Sequence, residues 1–220
     1  MLAHEIIDKN ITPLKVTDSV ALALTKMDLL YVTRFPVVDE GVMVGTVSLN
    51  TLIEVDEENI PIGEIPLQDS ISIPDSQHLF EAVRTMLTHE LFIVPVVDKN
   101  NKLLGLIKNR DVLQALGDVF NLELYGSVIT IEMIPYDFTL SEIVRLIETE
   151  GAKILNIAVE QPNDEYGFYR VSIKLNLEDS STVCSTLQRY GYVITSQVSS
   201  ASMEKDFSDR ADELIRYLDT

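Results

Sequence analysis

A motif written twice in one chain restricts the fold more than composition does, because both copies must bury the same pattern in the same way. Residues Thr33-Arg34-Phe35-Pro36-Val37-Val38-Asp39, followed by Val44-Gly45-Thr46-Val47-Ser48, return as Phe92-Ile93-Val94-Pro95-Val96-Val97-Asp98, followed by Leu104-Gly105-Leu106-Ile107-Lys108. A period of about sixty residues is too long for a typical solenoid repeat and points to one fold made of paired units. Each copy then supplies half of a shared core.

The repeat starts upstream of those motifs. Asp18-Ser19 precedes Val20, Ala23, Leu24 and Met27, and Asp75-Ser76 precedes Leu79, Ala82, Val83 and Met86. Apolar residues three and four apart mark one buried helical face, and an Asp or Ser ahead of them can accept hydrogen bonds from first-turn amides. Each unit therefore reads strand, helix, strand, strand, short helix. Pro36 and Pro95 lack an amide proton, so they are expected at a strand start or where no ladder bond is required. Gly45 and Gly105 interrupt the third strand, which predicts a close approach of backbone or ligand there.

After Gly117 the pattern changes. Ser127–Ile134 alternates loosely, Leu140, Ile143, Val144 and Ile147 keep helical spacing, and Ile154, Ile157 and Val159 predict a second strand. Phe168–Leu177 alternates, Val183, Leu187 and Tyr190 predict a helix, and Tyr192–Val198 a last strand. The order is the split βαβ plan of a ferredoxin-like sheet, with Asn163-Asp164-Glu165 as the turn between the middle strands. In residues 203–220, Ser208 and the stripe Ala211, Leu214, Ile215 and Leu218 predict an amphipathic C-terminal helix.

Charge narrows the partners. A net charge of −18, with both halves negative, disfavours nucleic acid and anionic membrane surfaces, which require clustered Lys and Arg. No apolar run reaches the roughly 18 residues of a membrane span, and the N-terminus lacks a secretory pattern. The lone Cys184 cannot form an intramolecular disulfide and reads as a small packed side chain, which favours a cytoplasmic setting. His4, His78 and His89 lack metal-ligand spacing, and no Walker sequence, dinucleotide fingerprint or nucleophile elbow is present. The chain therefore reads as a non-enzyme with no required cofactor or metal.

The paired Pro-Val-Val-Asp and glycine-containing strands resemble a tandem pair of CBS domains, a Bateman module, over residues 1–120 with repeats of about 1–58 and 59–120. The resemblance implies an inter-repeat cleft for an adenine nucleotide or adenosyl compound such as AMP, ADP, ATP or S-adenosylmethionine. In that family the site pattern is Gly, two apolar residues, Ser or Thr, two variable residues, then Asp or Asn. A carboxylate can accept from both ribose hydroxyls, while a hydroxyl and helix-start amides can meet phosphate. The first copy keeps Ser48 but carries Thr51 at the acidic position, and the second keeps Asp111 but carries Lys108 at the hydroxyl position. Lys108, Arg110 and Arg34 are expected to form a cationic patch for phosphate.

Residues 127–198 look like an ACT domain, a small regulatory module that often binds amino acids. The resemblance implies an effector site at Tyr136, Asp137 and Asn156, although Pro135–Thr139 lacks the glycine usual in that loop. The expected architecture is thus α/β and α+β: a CBS pair, a ferredoxin-like βαββαβ domain of ACT type, then the C-terminal helix. Together the two halves are similar to acetoin-utilisation-type regulatory proteins. A homodimer, an adenosyl ligand and an unidentified protein target are the partners this implies; a ligand-free interaction module is the alternative.

Overall fold

The computed structural model describes residues 1–162 and 167–199; the expected 163–165 turn and 203–220 helix lie outside the described residues. The chain divides into two units, Met1–Val119 and Phe120–Thr220.

In the first unit, repeat one comprises β1 (Leu14–Lys15), α1 (Val20–Leu30), β2 (Arg34–Asp39), β3 (Val42–Ser48) and α2 (Leu49–Ile53). Repeat two comprises β4 (Ile73–Pro74), α3 (Leu79–His89), β5 (Ile93–Val97), β6 (Leu103–Lys108) and α4 (Asn109–Val119). Each repeat builds a three-stranded sheet, in the orders β1-β2-β3 and β4-β5-β6, with the first pair parallel and the second antiparallel. The helical faces are as spaced: Val20, Ala23 and Met27 pack with Phe35, Val37 and Val47, while Leu79, Ala82 and Met86 pack with Val94, Val96 and Ile107.

Three local features differ between the copies or from expectation. Ser19 caps α1 by accepting from the Leu22 amide at 3.3 Å, whereas α3 is capped by His78, whose Nδ1 accepts from the Phe80 amide at 3.2 Å. Helix α3 begins three residues beyond Ser76, so Asp75-Ser76 stands too early to cap it. Helix α4 has 11 residues against five in α2, because Val112 and Ala115 extend a buried face that the acidic stretch after Ile53 cannot supply. The prolines sit inside their strands, but β1 pairs only with Val37 and Val38 and β4 only with Val96 and Val97. Pro36 and Pro95 therefore have no partner residue on that side of the ladder.

The two glycines admit backbone. The segment ahead of repeat one crosses to β6, where the Asp8 amide donates to the Leu106 carbonyl at 2.8 Å and the Leu106 amide to the Asp8 carbonyl at 3.2 Å. The segment ahead of repeat two crosses to β3 in the same way, through Gln68 and Thr46 at 2.8 and 3.0 Å. A Cβ on Gly105 would lie 2.9 Å from the Asp8 carbonyl oxygen, and one on Gly45 2.8 Å from that of Gln68. Each repeat thus lends its leading segment to the sheet of the other.

The second unit runs β7 (Ser127–Met133), α5 (Leu140–Thr149), β8 (Ile154–Glu160), β9 (Tyr169–Leu175), α6 (Ser181–Arg189) and β10 (Val193–Ser199). The sheet order β10-β7-β9-β8, with antiparallel neighbours throughout, is the ferredoxin-like arrangement. Ile129, Ile131, Val171 and Ile173 face Ile143, Ile147, Val183 and Leu187 in its core, where Cys184 is also buried. Burial pushes the Cys184 thiol up, as suits a packing residue.

Candidate functional site

The turn from β6 into α4 carries the second copy's motif, and its backbone is already engaged. The amide of Lys108 donates to Asp111 Oδ2 at 3.3 Å, that of Asn109 to the Phe92 carbonyl at 2.9 Å and that of Arg110 to Asn109 Oδ1 at 2.8 Å. These three amides are therefore already paired. Asp111 reaches back to the residue before the helix, as an acid at the third helical position does in a capping box.

Lys108 does not extend freely. Its Nζ donates to Asp8 Oδ2 at 2.8 Å and lies 3.7 Å from Asp111 Oδ2. The hydrogen bond from Lys108, joined by the Asn10 amide at 2.9 Å, holds the Asp8 carboxyl below the usual carboxylate range. The same bond raises Lys108 above the ordinary lysine value, with burial and Arg110 opposing and Asp111 supporting. No sequence motif marks Asp8; it reaches this turn only because the leading segment crosses to β6.

Two cavities meet at this turn. One, of about 330 Å³, is walled by Leu30 and Tyr31 from repeat one and by Phe92, Ile93, Lys108, Asn109 and Arg110 from repeat two. The other, of about 530 Å³, is lined by residues 5–10 together with Asp111, Gln114, Ala115 and Asp118. The structure therefore places Lys108 and Arg110 on one cavity and Asp111 on its neighbour. Arg34 lines a much smaller hollow with Phe35, Pro36 and Pro95, which shares Ile93 with the first cavity. Ser48 and Thr51 line none of these three: Ser48 caps α2 by accepting from the Thr51 amide at 3.2 Å, and the two hydroxyls lie 2.7 Å apart.

In the second unit, Tyr136 and Asp137 line a cavity of about 790 Å³ with Glu132, Glu142, Tyr190 and Tyr192. Asn156 does not join them. Its Nδ2 donates to the Phe120 carbonyl at 3.3 Å, beside Lys174, whose Nζ donates to the Asn121 and Leu122 carbonyls at 2.7 and 2.9 Å. Asn156 thus fastens the chain entering the unit to β8. Among the described residues, no helix is long and apolar enough to cross a membrane, and no cluster of His, Cys, Asp and Glu is arranged to hold a metal ion.

The family described as the CBS domain matches residues 3–58 and 62–118, the two repeats in succession. The chain belongs to the CBS-domain family. Among curated relatives, an uncharacterized protein of Methanocaldococcus jannaschii is 30% identical over 91 residues, covering 41% of this chain and 31% of the relative. The inosine-5'-monophosphate dehydrogenase of the same organism is 25% identical over 113 residues, covering 51% of this chain and 23% of that enzyme. The chain thus spans less than a third of the length of either. Among solved structures, a CBS domain pair/ACT domain protein from Thermotoga maritima shares 22% identity at a TM-score of 0.48, covering 54% of this chain and 98% of its own. CBSX2, solved in complex with AMP, shares 25% at a TM-score of 0.46, covering 54% and 97%. None of the four covers more than 54% of this chain.

Proposed function

We propose that this CBS pair is a non-catalytic regulatory sensor that takes an adenine nucleotide or adenosyl compound at the first turn of α4. One observation carries the reading: a single turn offers Lys108 and Arg110 to an apolar, aromatic-walled inter-repeat cleft and Asp111 to the adjoining cavity. Leu30, Tyr31, Phe92 and Ile93 suit a flat base, cationic side chains suit phosphate, and a carboxylate suits ribose hydroxyls. A thermal-shift panel of adenosine, AMP, ADP, ATP, NAD and S-adenosylmethionine tests it. A ligand at a hundred times its dissociation constant stabilises the fold by about 2.7 kcal/mol. Asp111→Ala should weaken binding by about 1–3 kcal/mol. No shift with any of them at millimolar concentration would remove the sensor reading.

A second reading has its own support. Ser48 and Thr51 satisfy each other, and Asp111 already accepts from Lys108, so both motifs are closed without a ligand. On that reading the chain is an interaction module acting on an unidentified protein target. Either way we infer a cytoplasmic homodimer. A groove of about 620 Å³ between α3 and α4, lined by Val83, Met86, Leu87, Phe92, Leu113 and Leu116, leaves Leu87 75% and Leu113 70% exposed. A second copy covering this face would remove that apolar surface from water. Any amino-acid response of the second unit would rest on Tyr136 and Asp137 without Asn156.

A further inference from the structure

We infer that Asp8 sets the charge of ligand accepted at the α4 turn, selecting adenosyl compounds with little negative charge over nucleoside triphosphates. This rests on the sensor reading above and names the class of ligand within it. One ammonium, Lys108, is shared by two carboxylates, at 2.8 Å from Asp8 and 3.7 Å from Asp111. Lys108 lines the inter-repeat cleft, and both carboxylates line the cavity that adjoins it. Arg110 is the second cation on the cleft, close enough to Lys108 to oppose its charge. Two cations against two carboxylates leave these four groups neutral, and Glu5, Lys9 and Asp118 on the cavity of the two carboxylates add further net negative charge, in contrast to the cationic patch that Lys108 and Arg110 would form by themselves.

Asp8 cannot easily withdraw. Its Oδ1 accepts from the Asn10 amide at 2.9 Å, and its backbone is bonded both ways to Leu106. The glycine at 105 allows that approach, so the carboxylate is fixed by the crossing of the chain and not by a surface rotamer. An arriving phosphate must therefore either draw Lys108 away from Asp8 or lie beside a carboxylate whose charge is no longer matched. Arg110 can meet a single phosphate. Each further phosphate adds negative charge near Asp8 and Asp111, and the penalty grows with ligand charge because Coulomb energy is proportional to it. A neutral or cationic adenosyl ligand escapes the penalty.

The test is the ratio of ATP to AMP affinity, measured by calorimetry on the full chain without divalent cations, for wild type and Asp8→Asn. The amide keeps the oxygen that accepts from Asn10 while removing the charge. Wild type should bind AMP more tightly than ATP, and the variant should shift the ratio toward ATP by about ten-fold, the effect of one charge at several ångströms in a partly solvated site. S-adenosylmethionine should shift the other way. If wild type binds an adenosyl ligand but Asp8→Asn leaves the ratio within about two-fold, a value small against the Coulomb expectation, the inference is overturned while the sensor reading survives. Absence of binding by wild type overturns both. Salt gives a second readout: screening of the chain's net charge of −18 raises ATP relative to AMP in any case, so the rise should be larger in wild type than in Asp8→Asn, and an equal rise in the two overturns the proposal.

Discussion

Replacing Gly105 by alanine tests the crossing on which the candidate site depends. The new methyl would lie 2.9 Å from the Asp8 carbonyl oxygen and still closer to the Ile7 side chain. Backbone cannot rotate out of the way as a flexible side chain can, so residues 7 and 8 must retreat from β6. Retreat weakens two hydrogen bonds, Asp8 amide to Leu106 carbonyl and Leu106 amide to Asp8 carbonyl. Each contributes about 0.5–1.5 kcal/mol net, and overpacking adds about 1–3 kcal/mol. The expected loss is about 2–6 kcal/mol, a large share of the roughly 5–15 kcal/mol typical of a folded protein. Gly117→Ala is the control: among the described residues nothing beyond its own helix turn lies within 4 Å of its Cβ position in α4, and a helical alanine should gain about 0.5–1 kcal/mol. A chain of two units need not unfold in one step, so hydrogen exchange of segments 1–12 and 103–108 should accompany urea melts. Gly105→Ala should speed exchange in both segments. A loss below about 1 kcal/mol, with exchange unchanged, would refute the argument that the glycine exists to admit backbone.

Other expectations follow from single contacts. Ser127 Oγ is buried without a hydrogen-bond partner among the described residues, so Ser127→Ala should stabilise the second unit by about 1 kcal/mol in thermal melts. The Asp8–Lys108 pair should contribute about 0.2–1 kcal/mol, the range for a partly exposed ion pair. Asp8 is depressed, so its contribution holds above the unfolded carboxylate value of about 3.9 and fades as pH falls through the lower folded value; Lys108 is raised, so its contribution holds below about 10.4 and fades as pH rises through the higher folded value. Melting temperatures of wild type and Asp8→Asn should accordingly differ at neutral pH and converge at both extremes. Leu113→Asp should convert a dimer to monomer in light scattering, because it places a charge in the apolar groove between α3 and α4.

What the residues disclose by themselves follows from how local the cause is. The repeat, the helical faces of α1, α3 and α5 and the alternation of β9 depend on neighbours within a few positions, and each element stands where its spacing places it. The ferredoxin-like order of the second unit likewise follows from six periodic segments in sequence. Gly105 signalled a close approach but could not say to what, since its partner Asp8 is almost a hundred residues away. The same distance hid the Lys108–Asp8 pair, which turns an expected phosphate cation into half of an ion pair. Asn156 is a further case: a polar residue early in β8 reads as effector chemistry until its bond to the Phe120 carbonyl is seen. Apolar periodicity reports what is buried, whereas a polar side chain's role depends on which distant group reaches it.

The most direct measurement is the stoichiometry of AMP binding by isothermal titration calorimetry, with wild type and Asp111→Ala side by side. Asp111 keeps a carboxylate at the α4 turn, while Ser48 and Thr51 close on each other at the equivalent turn of repeat one. The account predicts one AMP per chain, with affinity reduced about ten-fold or more in Asp111→Ala, the equivalent of about 1.4 kcal/mol. Two sites per chain, an unchanged affinity in the variant, or no heat with wild type would contradict it.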